Sequence, residues 1–503
     1  MSNESTFGRL GHDINRPRRQ DPNDIIYLQG LPLAKDETDP EAAPMAARSA
    51  LSSLTSNLAS ISGDERGSDL LEKCITIGLS LPPDSSTETK TDVLETLEST
   101  LTSLLPYTEF LSINRYGSHV LQSLLSILPP LYPLLPPTST VLPSLLTIAE
   151  TILPSLLEYA THIAGSHVLR SLICALGGVT PSTILPRRGK KGKHKHSGSS
   201  QTLTSSSSYP LNVPVQRGPS SAQLLPALDG LVGALLSKAG KKDKGYMQYL
   251  SCHSDASPVI MTMIRVKACV EDASRTPGPS GGAHKGGEAN AKDANASGRT
   301  GSLQAGSYPS VSKGGVGERL VRAVLEADDP SVVGEVVYGL SGERLGSFVL
   351  EACMECYPEA STIVWKEGAR GRAREFVDDD VGNYVVQGIL QHMREGDGEV
   401  VGTLAGMIKG TLLKPNRMGV LFRLVQYAGR TGIGVEDVYN GVFGNASVPE
   451  ILRVELPEKE GGRTSIDVNA ARVVYWFTEG GFGKWGDKVV EGGIKTLGSA
   501  EVM

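Results

Sequence analysis

Aromatic residues are scarce in this chain of 503 residues, since Phe, Trp and Tyr together make up 5 %. Such a composition does not favour an aromatic-rich barrel or sandwich. Regular alternation of apolar and polar residues, the pattern typical of β-strands, is also rare, and the one strand that it predicts is Val473–Phe477. Apolar residues recur instead at steps of three and four, which predicts an all-α protein.

Cysteine and positive charge are both limited. Six cysteines are too few for a disulfide framework in 503 residues, and the polar N-terminus lacks the apolar run of a secretory signal. We therefore expect a reducing, intracellular compartment. The 49 Lys and Arg residues against 55 Asp and Glu give a net charge of −6. This balance excludes a whole-chain nucleic-acid clamp and leaves only a local nucleic-acid-binding face.

A long uninterrupted apolar run is missing as well. The most apolar region, residues 121–157, contains seven prolines. A membrane-spanning helix needs about 20 consecutive apolar residues. The region therefore predicts two buried helices joined by a Pro-rich loop, and no membrane partner is expected.

Two segments are rich in Gly, Ser or Lys and poor in large apolar residues. They cannot bury enough apolar surface to offset the entropy of ordering, so both are predicted to be disordered inserts. The chain is thus predicted to contain an N-terminal extension (1–45), N-terminal repeats (46–180), a basic and Ser-rich insert (181–222), degenerate repeats (223–271), a Gly- and Ser-rich insert (272–315) and C-terminal repeats (316–503).

A short motif recurs along the chain. Its strong copies are RYGSHVLQSLL (115–125), IAGSHVLRSLI (163–173), RLGSFVLEACM (344–354) and DVGNYVVQGIL (380–390). Each begins at an anchor glycine, followed by a small polar residue, an aromatic residue or His, two aliphatic residues and a longer polar residue. Weaker copies have their anchors at Gly67, Ala256, Gly419 and Gly486. Steps of 36 and 37 residues between the last regular anchors predict a helical solenoid.

One helical face of each strong copy combines two polar residues with a flat side chain. At 100° per residue, the residues one, two and five after the anchor lie on this face, and the aliphatic residues lie opposite. Two polar groups can hydrogen-bond a base edge while the flat group stacks on the base. The predicted RNA-binding residues are Ser118, His119, Gln122, Ser166, His167, Arg170, Ser347, Phe348, Glu351, Asn383, Tyr384 and Gln387.

These motifs resemble the RNA-recognition helices of Pumilio repeats, and GNYVVQ at 382–387 is the most similar. The resemblance implies a right-handed, C- or U-shaped solenoid related to armadillo arrays. By the Pumilio code, Asn383 with Gln387 would favour uracil and the pair Ser347 and Glu351 would favour guanine. Ser118 with Gln122 would favour adenine, and Ser166 with Arg170 would favour cytosine.

The wide spacing and the degenerate copies resemble the nucleolar protein nine family more than the cytoplasmic messenger-RNA regulators. That family binds the precursor of small-subunit ribosomal RNA and restrains premature cleavage at the 3′ end of the mature rRNA. The resemblance implies a monomeric, nuclear and nucleolar protein without a cofactor. Its partners would be single-stranded pre-rRNA and proteins of the pre-ribosomal particle.

Other interpretations remain open. A HEAT-like scaffold that binds proteins would also show polar outer helix faces, and a messenger-RNA regulator would carry the same motifs. The run Asp378–Asp380 suggests a metal-dependent ribonuclease, but it directly precedes a helix start, where carboxylates cap backbone amides. The pair Cys353 and Cys356 lacks the second pair that zinc requires. We expect no catalytic site and no metal site.

The basic run between Arg187 and Lys195 has two equal interpretations. It is either functional, as a nuclear or nucleolar address or as a nonspecific phosphate contact, or it is a solvated linker.

Overall fold

The computed structural model describes residues 15–34, 39–82, 84–184, 215, 221–243, 245–275, 309–394, 396–444, 451 and 468–479. Within these ranges every regular element is a helix, which confirms the predicted all-α class. Most of both predicted inserts, the basic run and the weak copy at Gly486 lie outside the described residues. At the insert edges, helices cover residues 181–184 and 272–275.

Contacts divide the chain into two compact units, one formed by residues 1–273 with 311–320 and the other by residues 274–310 with 321–503. The helices described up to the end of the first unit are α1 (Pro22–Gln29), α2 (Ala42–Ser53), α3 (Leu58–Ser62), α4 (Glu65–Gly78), α5 (Thr87–Leu104), α6 (Thr108–Ile113), α7 (Gly117–Leu131), α8 (Val141–Ile152), α9 (Leu156–Thr161), α10 (Gly165–Gly177), α11 (Pro181–Ile184), α12 (Leu225–Gly240), α13 (Tyr246–Cys252) and α14 (Ala256–Arg275).

Helix α15 (Val316–Leu325) begins in the first unit and ends in the second. The further helices described in the second unit are α16 (Pro330–Gly342), α17 (Arg344–Cys356), α18 (Pro358–Ile363), α19 (Ala373–Asp378), α20 (Gly382–His392), α21 (Gly398–Ala405), α22 (Met418–Thr431), α23 (Val435–Phe443) and α24 (Val468–Glu479). Short π-helical stretches at Val364–Ala369 and Ile408–Leu412 continue α18 and follow α21.

The helices that carry the repeated motif, here called motif helices, pack side by side within each unit. In the first unit α4 packs against α7 and α7 against α10, and Gly177 of α10 lies against Val266 of α14. In the second unit α17 packs against α20, α20 against α22 and α22 against α24. Each unit is therefore a helical-repeat solenoid, as the motif spacing predicts.

The anchor glycines have a common steric cause. At each one, the residue six positions earlier packs directly against the start of the motif helix. A Cβ built at Gly346 would lie 2.5 Å from the Leu340 carbonyl oxygen, and one at Gly382 would lie 2.9 Å from that of Phe376. Since real Cβ contacts are longer than 3 Å, no larger residue fits without a backbone shift. The same relationship recurs at Gly67, Gly117 and Gly165.

The residue three positions before the anchor caps the motif helix in several repeats. The Asn114 side chain accepts hydrogen bonds from the amides of Tyr116 and Gly117 at 2.9 and 2.8 Å. Such a side-chain acceptor satisfies amides that have no partner at a helix start. The other residues with this role are Asp64, His162, His253 and Asp379.

The Pro-rich region forms two helices, as predicted, but the loop between them is shorter than expected because α7 continues through Pro129 and Pro130. Tyr132, directly after α7, donates its hydroxyl to the Ala175 carbonyl at 2.7 Å and so ties this turn to α10. By length and composition, Val141–Thr161 is apolar enough to cross a membrane. A 3-10 turn at Leu153–Ser155 interrupts it, and half of its most apolar window is buried.

The predicted strand Val473–Phe477 is wrong, because these residues lie inside α24. Ala470, Val473 and Phe477 are fully buried at steps of three and four, so the segment packs against α22 along one helical stripe. The Phe477 ring contacts Phe443 edge-on at 5.1 Å between centroids. This tertiary packing outweighs the strand propensity of the β-branched and aromatic run.

Candidate nucleic-acid interface

The motif helices expose the flat side chains that the sequence places two residues after each anchor, here called the ring position. His119 and His167 are exposed, and Phe348 and Tyr384 keep 39 % and 41 % of their surface accessible. The two residues that follow each ring position are aliphatic and buried. The four exposed side chains recur at the same offset in four motif helices, so they mark a candidate binding face.

The residue directly after each anchor, the first polar position, is buried and bonded to a backbone carbonyl at the start of its helix or just before it. Ser118, Ser166 and Ser347 each donate their hydroxyl to the carbonyl three residues earlier. Asn383 donates its side-chain amide to the carbonyls of Asp379 and Asp380, both at 2.9 Å. The four side chains therefore stabilise the first turn of the helix.

The residue five positions after the anchor, the second polar position, folds back onto the first one. The Gln387 amide donates to the Asn383 side-chain oxygen at 3.0 Å. The amide of Gln122 donates to the Ser118 carbonyl at 3.0 Å. The Arg170 guanidinium lies 3.4 Å from the Ser166 carbonyl. The structure thus brings together the predicted polar pairs of three motif helices, with the second polar residue half-exposed.

Arg170 also contacts His167, the residue at the ring position of the same helix. Its guanidinium lies 2.6 Å from Nδ1 of His167, so this nitrogen accepts and the ring is neutral in this arrangement. The pair presents a guanidinium plane and an imidazole ring together. Both groups stack on nucleic-acid bases.

A relationship between neighbouring motif helices could not be predicted from the sequence: the second polar position of one faces the ring position of the next. Glu72 of α4 is near His119 of α7 and hydrogen-bonds Ser123 at 3.3 Å. Burial raises the pKa of Glu72, and the nearby His119 opposes this effect. A base stacked on a ring would therefore meet polar groups from two successive repeats.

The predicted anchor at Gly419 is wrong by two residues. Leu421, which this anchor places at the ring position, is fully buried. Gly419 instead faces Gln387 of α20, so it occupies the ring position itself. Arg417 is then at the anchor site, where its guanidinium donates to the Asp378 carbonyl and to the Asp380 carboxylate. Met418 and Phe422 occupy the first and second polar positions of α22.

The sequence motif does not identify two motif helices, α15 and α24, because Arg occupies their ring position. Gly317 in α15 lies against Val311, six residues earlier, and the exposed Arg319 follows at the ring position. In α24 the anchor site is Ala470, and Arg472 is at the ring position. The signal that could have found α15 is GERLVR, which keeps the anchor and the two aliphatic residues.

The weaker copies in the first unit offer less for base binding. In α4 the ring position is Asp69, which pairs with Lys73 at 2.6 Å. In α14 it is Pro258, beside the buried Ser257. Neither residue provides a π face, as the sequence indicates.

The three aspartates before α20 have structural roles. The Asp379 carboxylate accepts from the amides of Val381 and Gly382, which confirms the predicted cap. Asp378 and Asp380 lie near the cations of Arg374, Lys414 and Arg417. Among the described residues, no group of three or more Asp, Glu, His or Cys side chains could hold a metal ion.

The candidate CxxC pair is part of the helix packing. Cys353 and Cys356 of α17 are both buried, and burial raises the pKa of the Cys353 thiol far above its usual range. Such thiols are poor metal ligands and poor nucleophiles, because both roles need the thiolate.

Comparison with known families agrees with this geometry. A model of the NOP9-like PUF repeat domain matches residues 136–463. The chain belongs to the NOP9-like PUF repeat family. The match covers the motif helices α10, α14, α15, α17, α20 and α22, whereas α4, α7 and α24 lie outside it.

Solved structures show the same fold as this NOP9-like protein at low sequence identity. APUM23 with GGAUUUGACGG is 18 % identical and has a TM-score of 0.61, covering 91 % of this chain and 76 % of the other. APUM23 with GGAGUUGACGG is 18 % identical with a TM-score of 0.61, and covers 90 % and 75 %. APUM23 lacking its insert region, with GGAAUUGACGG, is 16 % identical with a TM-score of 0.59, and covers 90 % and 74 %. A comparison with curated protein sequences gives no match.

Proposed function

We propose that this protein binds single-stranded RNA along its motif helices and acts as a ribosome-biogenesis factor on small-subunit pre-rRNA. The observation that carries RNA binding is the repeated placement of an exposed ring beside a half-exposed polar side chain, in α7, α10, α17 and α20. Stacking of a base on an aromatic side chain contributes about 1–3 kcal/mol. Four such sites provide useful affinity in a chain whose net charge is −6.

The three positions of a motif helix have different roles in this proposal. The ring residue stacks on a base, and the second polar residue hydrogen-bonds the base edge. The first polar residue is buried, so it mainly positions its partner, as Asn383 does for Gln387. The base preferences expected from the Pumilio code are uracil at α20, guanine at α17, adenine at α7 and cytosine at α10.

The biological role rests on family membership and on the resemblance of the motifs. Bound to pre-rRNA, the protein would restrain premature processing at the 3′ end of the 18S rRNA by occupying the strand, without chemistry of its own. This role places it in the nucleus and nucleolus as a monomer beside pre-ribosomal proteins. The APUM23 complex with GGAUUUGACGG supplies a defined RNA probe.

The direct test is fluorescence anisotropy with the full chain and four labelled RNAs. These are single-stranded RNA from the 3′ end of the pre-18S region, the same sequence as a duplex, a scrambled strand, and GGAUUUGACGG. The test variant combines His119→Ala, His167→Ala, Phe348→Ala and Tyr384→Ala. We expect preferential binding of the single strand and a loss of at least about 3 kcal/mol in the variant.

The control variant replaces an exposed ring outside the motif helices, Tyr338→Ala on α16, and is expected to bind normally. If wild type binds no RNA at moderate salt, RNA binding is wrong and a protein-binding scaffold takes its place. If RNA binds but the pre-18S strand is not preferred over a scrambled strand, the pre-rRNA role is wrong. A reconstituted 3′-end processing assay tests the same role. Wild type should slow cleavage of the pre-rRNA, and the fourfold ring variant should not.

A further inference from the structure

The last two motif helices described in the second unit carry three side chains that can stack, two of them where other motif helices carry polar groups. Phe422 occupies the second polar position of α22 and is half-exposed. Arg472 occupies the ring position of α24, and its Cζ lies 5.8 Å from the centroid of the Phe422 ring. Tyr475, at the second polar position of α24, keeps 61 % of its surface accessible.

The register of the motif helices places these side chains on the candidate binding face. Gln387 of α20 faces Gly419 of α22, from its second polar position to the next ring position. Phe422 meets Arg472 in the same way one helix further along. At equivalent positions, α20 therefore presents the hydrogen-bonding Gln387, whereas α22 and α24 present the flat side chains of Phe422 and Arg472.

The first polar positions of α22 and α24 also lack a side chain that could hydrogen-bond a base edge. They hold Met418, which is fully buried, and Ala471. At the second polar positions Phe422 has no hydrogen-bonding atom, and Tyr475 has only its terminal hydroxyl. The Arg423 guanidinium is bonded to Gln426 at 2.8 Å and lies 5.6 Å from the Phe422 ring, so it supports the ring from its own helix.

We propose that Phe422, Arg472 and Tyr475 form a stacking site that binds nucleotides of single-stranded RNA without selecting the base. The site rests on the proposed RNA-binding function and extends it beyond the predicted residues. Aromatic rings and guanidinium planes stack on every base because every base has a π face. The positive charge of Arg472 also attracts the phosphate backbone. The protein thus combines base-selective repeats with a nonselective stacking site on α22 and α24.

The test uses the full chain and an RNA that wild type binds, with each nucleotide replaced in turn by an abasic one and by each other base. The variants are Phe422→Leu, which keeps an apolar side chain without a π face, and Phe422→Trp, which keeps the π face. Arg472→Lys keeps the charge and removes the plane. Tyr338→Leu is the matched control, since its ring also lies under a guanidinium, that of Arg372 at 4.5 Å, but on α16.

We expect Phe422→Leu to weaken binding at least about fivefold, within the range for loss of one stacked base. Tyr338→Leu should bind like wild type. Phe422→Trp should retain most of the affinity that Phe422→Leu loses, and Arg472→Lys should lie between Phe422→Leu and wild type. At one or two nucleotides an abasic replacement should weaken wild type but not Phe422→Leu, while exchange of the base there changes affinity less than about twofold. Circular dichroism melts should show that all variants fold.

Three outcomes would overturn the site. Phe422→Leu could bind as wild type while the fourfold ring variant loses RNA, which leaves RNA binding intact and removes this site. Base exchange at the affected nucleotides could change affinity as strongly as elsewhere, which makes the site selective. An absence of RNA binding by wild type removes both this site and the proposed function.

Discussion

The side-chain amide of Gln387 occupies the space that the missing side chain of Gly419 leaves on the neighbouring helix. A Cβ at position 419 would lie 2.9 Å from Oε1 and 3.0 Å from Nε2 of Gln387. The same amide donates to Asn383, which is itself fixed by two backbone carbonyls. Position 419 on one repeat thus controls a predicted base-reading group on another.

This contact predicts that Gly419→Ala weakens RNA binding without weakening the fold. The new methyl group displaces Gln387, and loss of one base-edge hydrogen bond costs about 0.5–1.5 kcal/mol. Alanine within a helix also removes the entropy cost of glycine, so the fold itself should not lose stability. Anisotropy titrations and thermal melts measure the two effects separately.

The control is Gly402→Ala in α21, where a Cβ meets no atom within 4 Å. It should leave RNA affinity unchanged. If Gly419→Ala binds RNA with wild-type affinity, Gln387 either moves freely or makes no contact with the base.

The sequence predicts the helical class and the four strong motif helices because their aromatic, polar and aliphatic residues recur at fixed offsets. It fails at α22, where the nearest glycine suggests an anchor and the structure uses Arg417 instead. A buried guanidinium that bonds the preceding repeat cannot be inferred from a pattern of glycines. The helices α15 and α24 are missed for a related reason, since Arg replaces the ring.

The division of roles inside a motif also depends on the fold. The sequence treats Ser118 and Gln122 as equal members of a polar pair. In the structure the Ser118 hydroxyl is buried and bonded to the Arg115 carbonyl just before α7, whereas Gln122 is half-exposed. Which of the two polar residues a ligand can reach therefore follows from the folded structure and not from the motif.

A second prediction concerns the anchor glycines. Gly346→Ala should destabilise the protein by about 1–3 kcal/mol, because the new Cβ would lie 2.5 Å from the Leu340 carbonyl oxygen and 2.9 Å from its Cα. Gly339→Ala in α16 meets no atom within 4 Å and should instead stabilise by about 0.5–1 kcal/mol. Urea denaturation of the two variants gives the comparison, and equal midpoints would show that the anchor is not sterically required.

A third prediction concerns thiol reactivity. Cys252 is half-buried, whereas Cys74, Cys174, Cys269, Cys353 and Cys356 are buried. Burial raises the pKa of Cys74 to about 11 and of Cys174 to about 12, which leaves little reactive thiolate. With a chromogenic disulfide reagent at pH 8, we expect one fast thiol in native protein and six in guanidinium chloride. The fast phase should disappear in Cys252→Ser, and its persistence would mean that a buried repeat opens readily.

The last prediction is a pH dependence of stability centred on the cap of α10. Nδ1 of His162 accepts hydrogen bonds from the amides of Ala164 and Gly165 at 3.1 and 3.0 Å, which requires an unprotonated nitrogen. Burial lowers the pKa of His162, and the Asp255 carboxylate partly opposes this shift. In the unfolded chain the pKa is about 6.5. The contribution of His162 to stability is therefore full above about pH 6.5.

As the pH falls below that value, the unfolded chain binds a proton that the folded chain resists, so stability decreases until the lowered folded pKa is reached. One proton limits the slope to about 1.4 kcal/mol per pH unit. His162→Asn keeps the cap without a titrating group, since Asn114 has the same role before α7. Urea midpoints between pH 7.5 and 5.5 should therefore fall further in wild type than in His162→Asn. Parallel curves would show that the cap at His162 tolerates protonation, because all other titrating groups are common to both proteins.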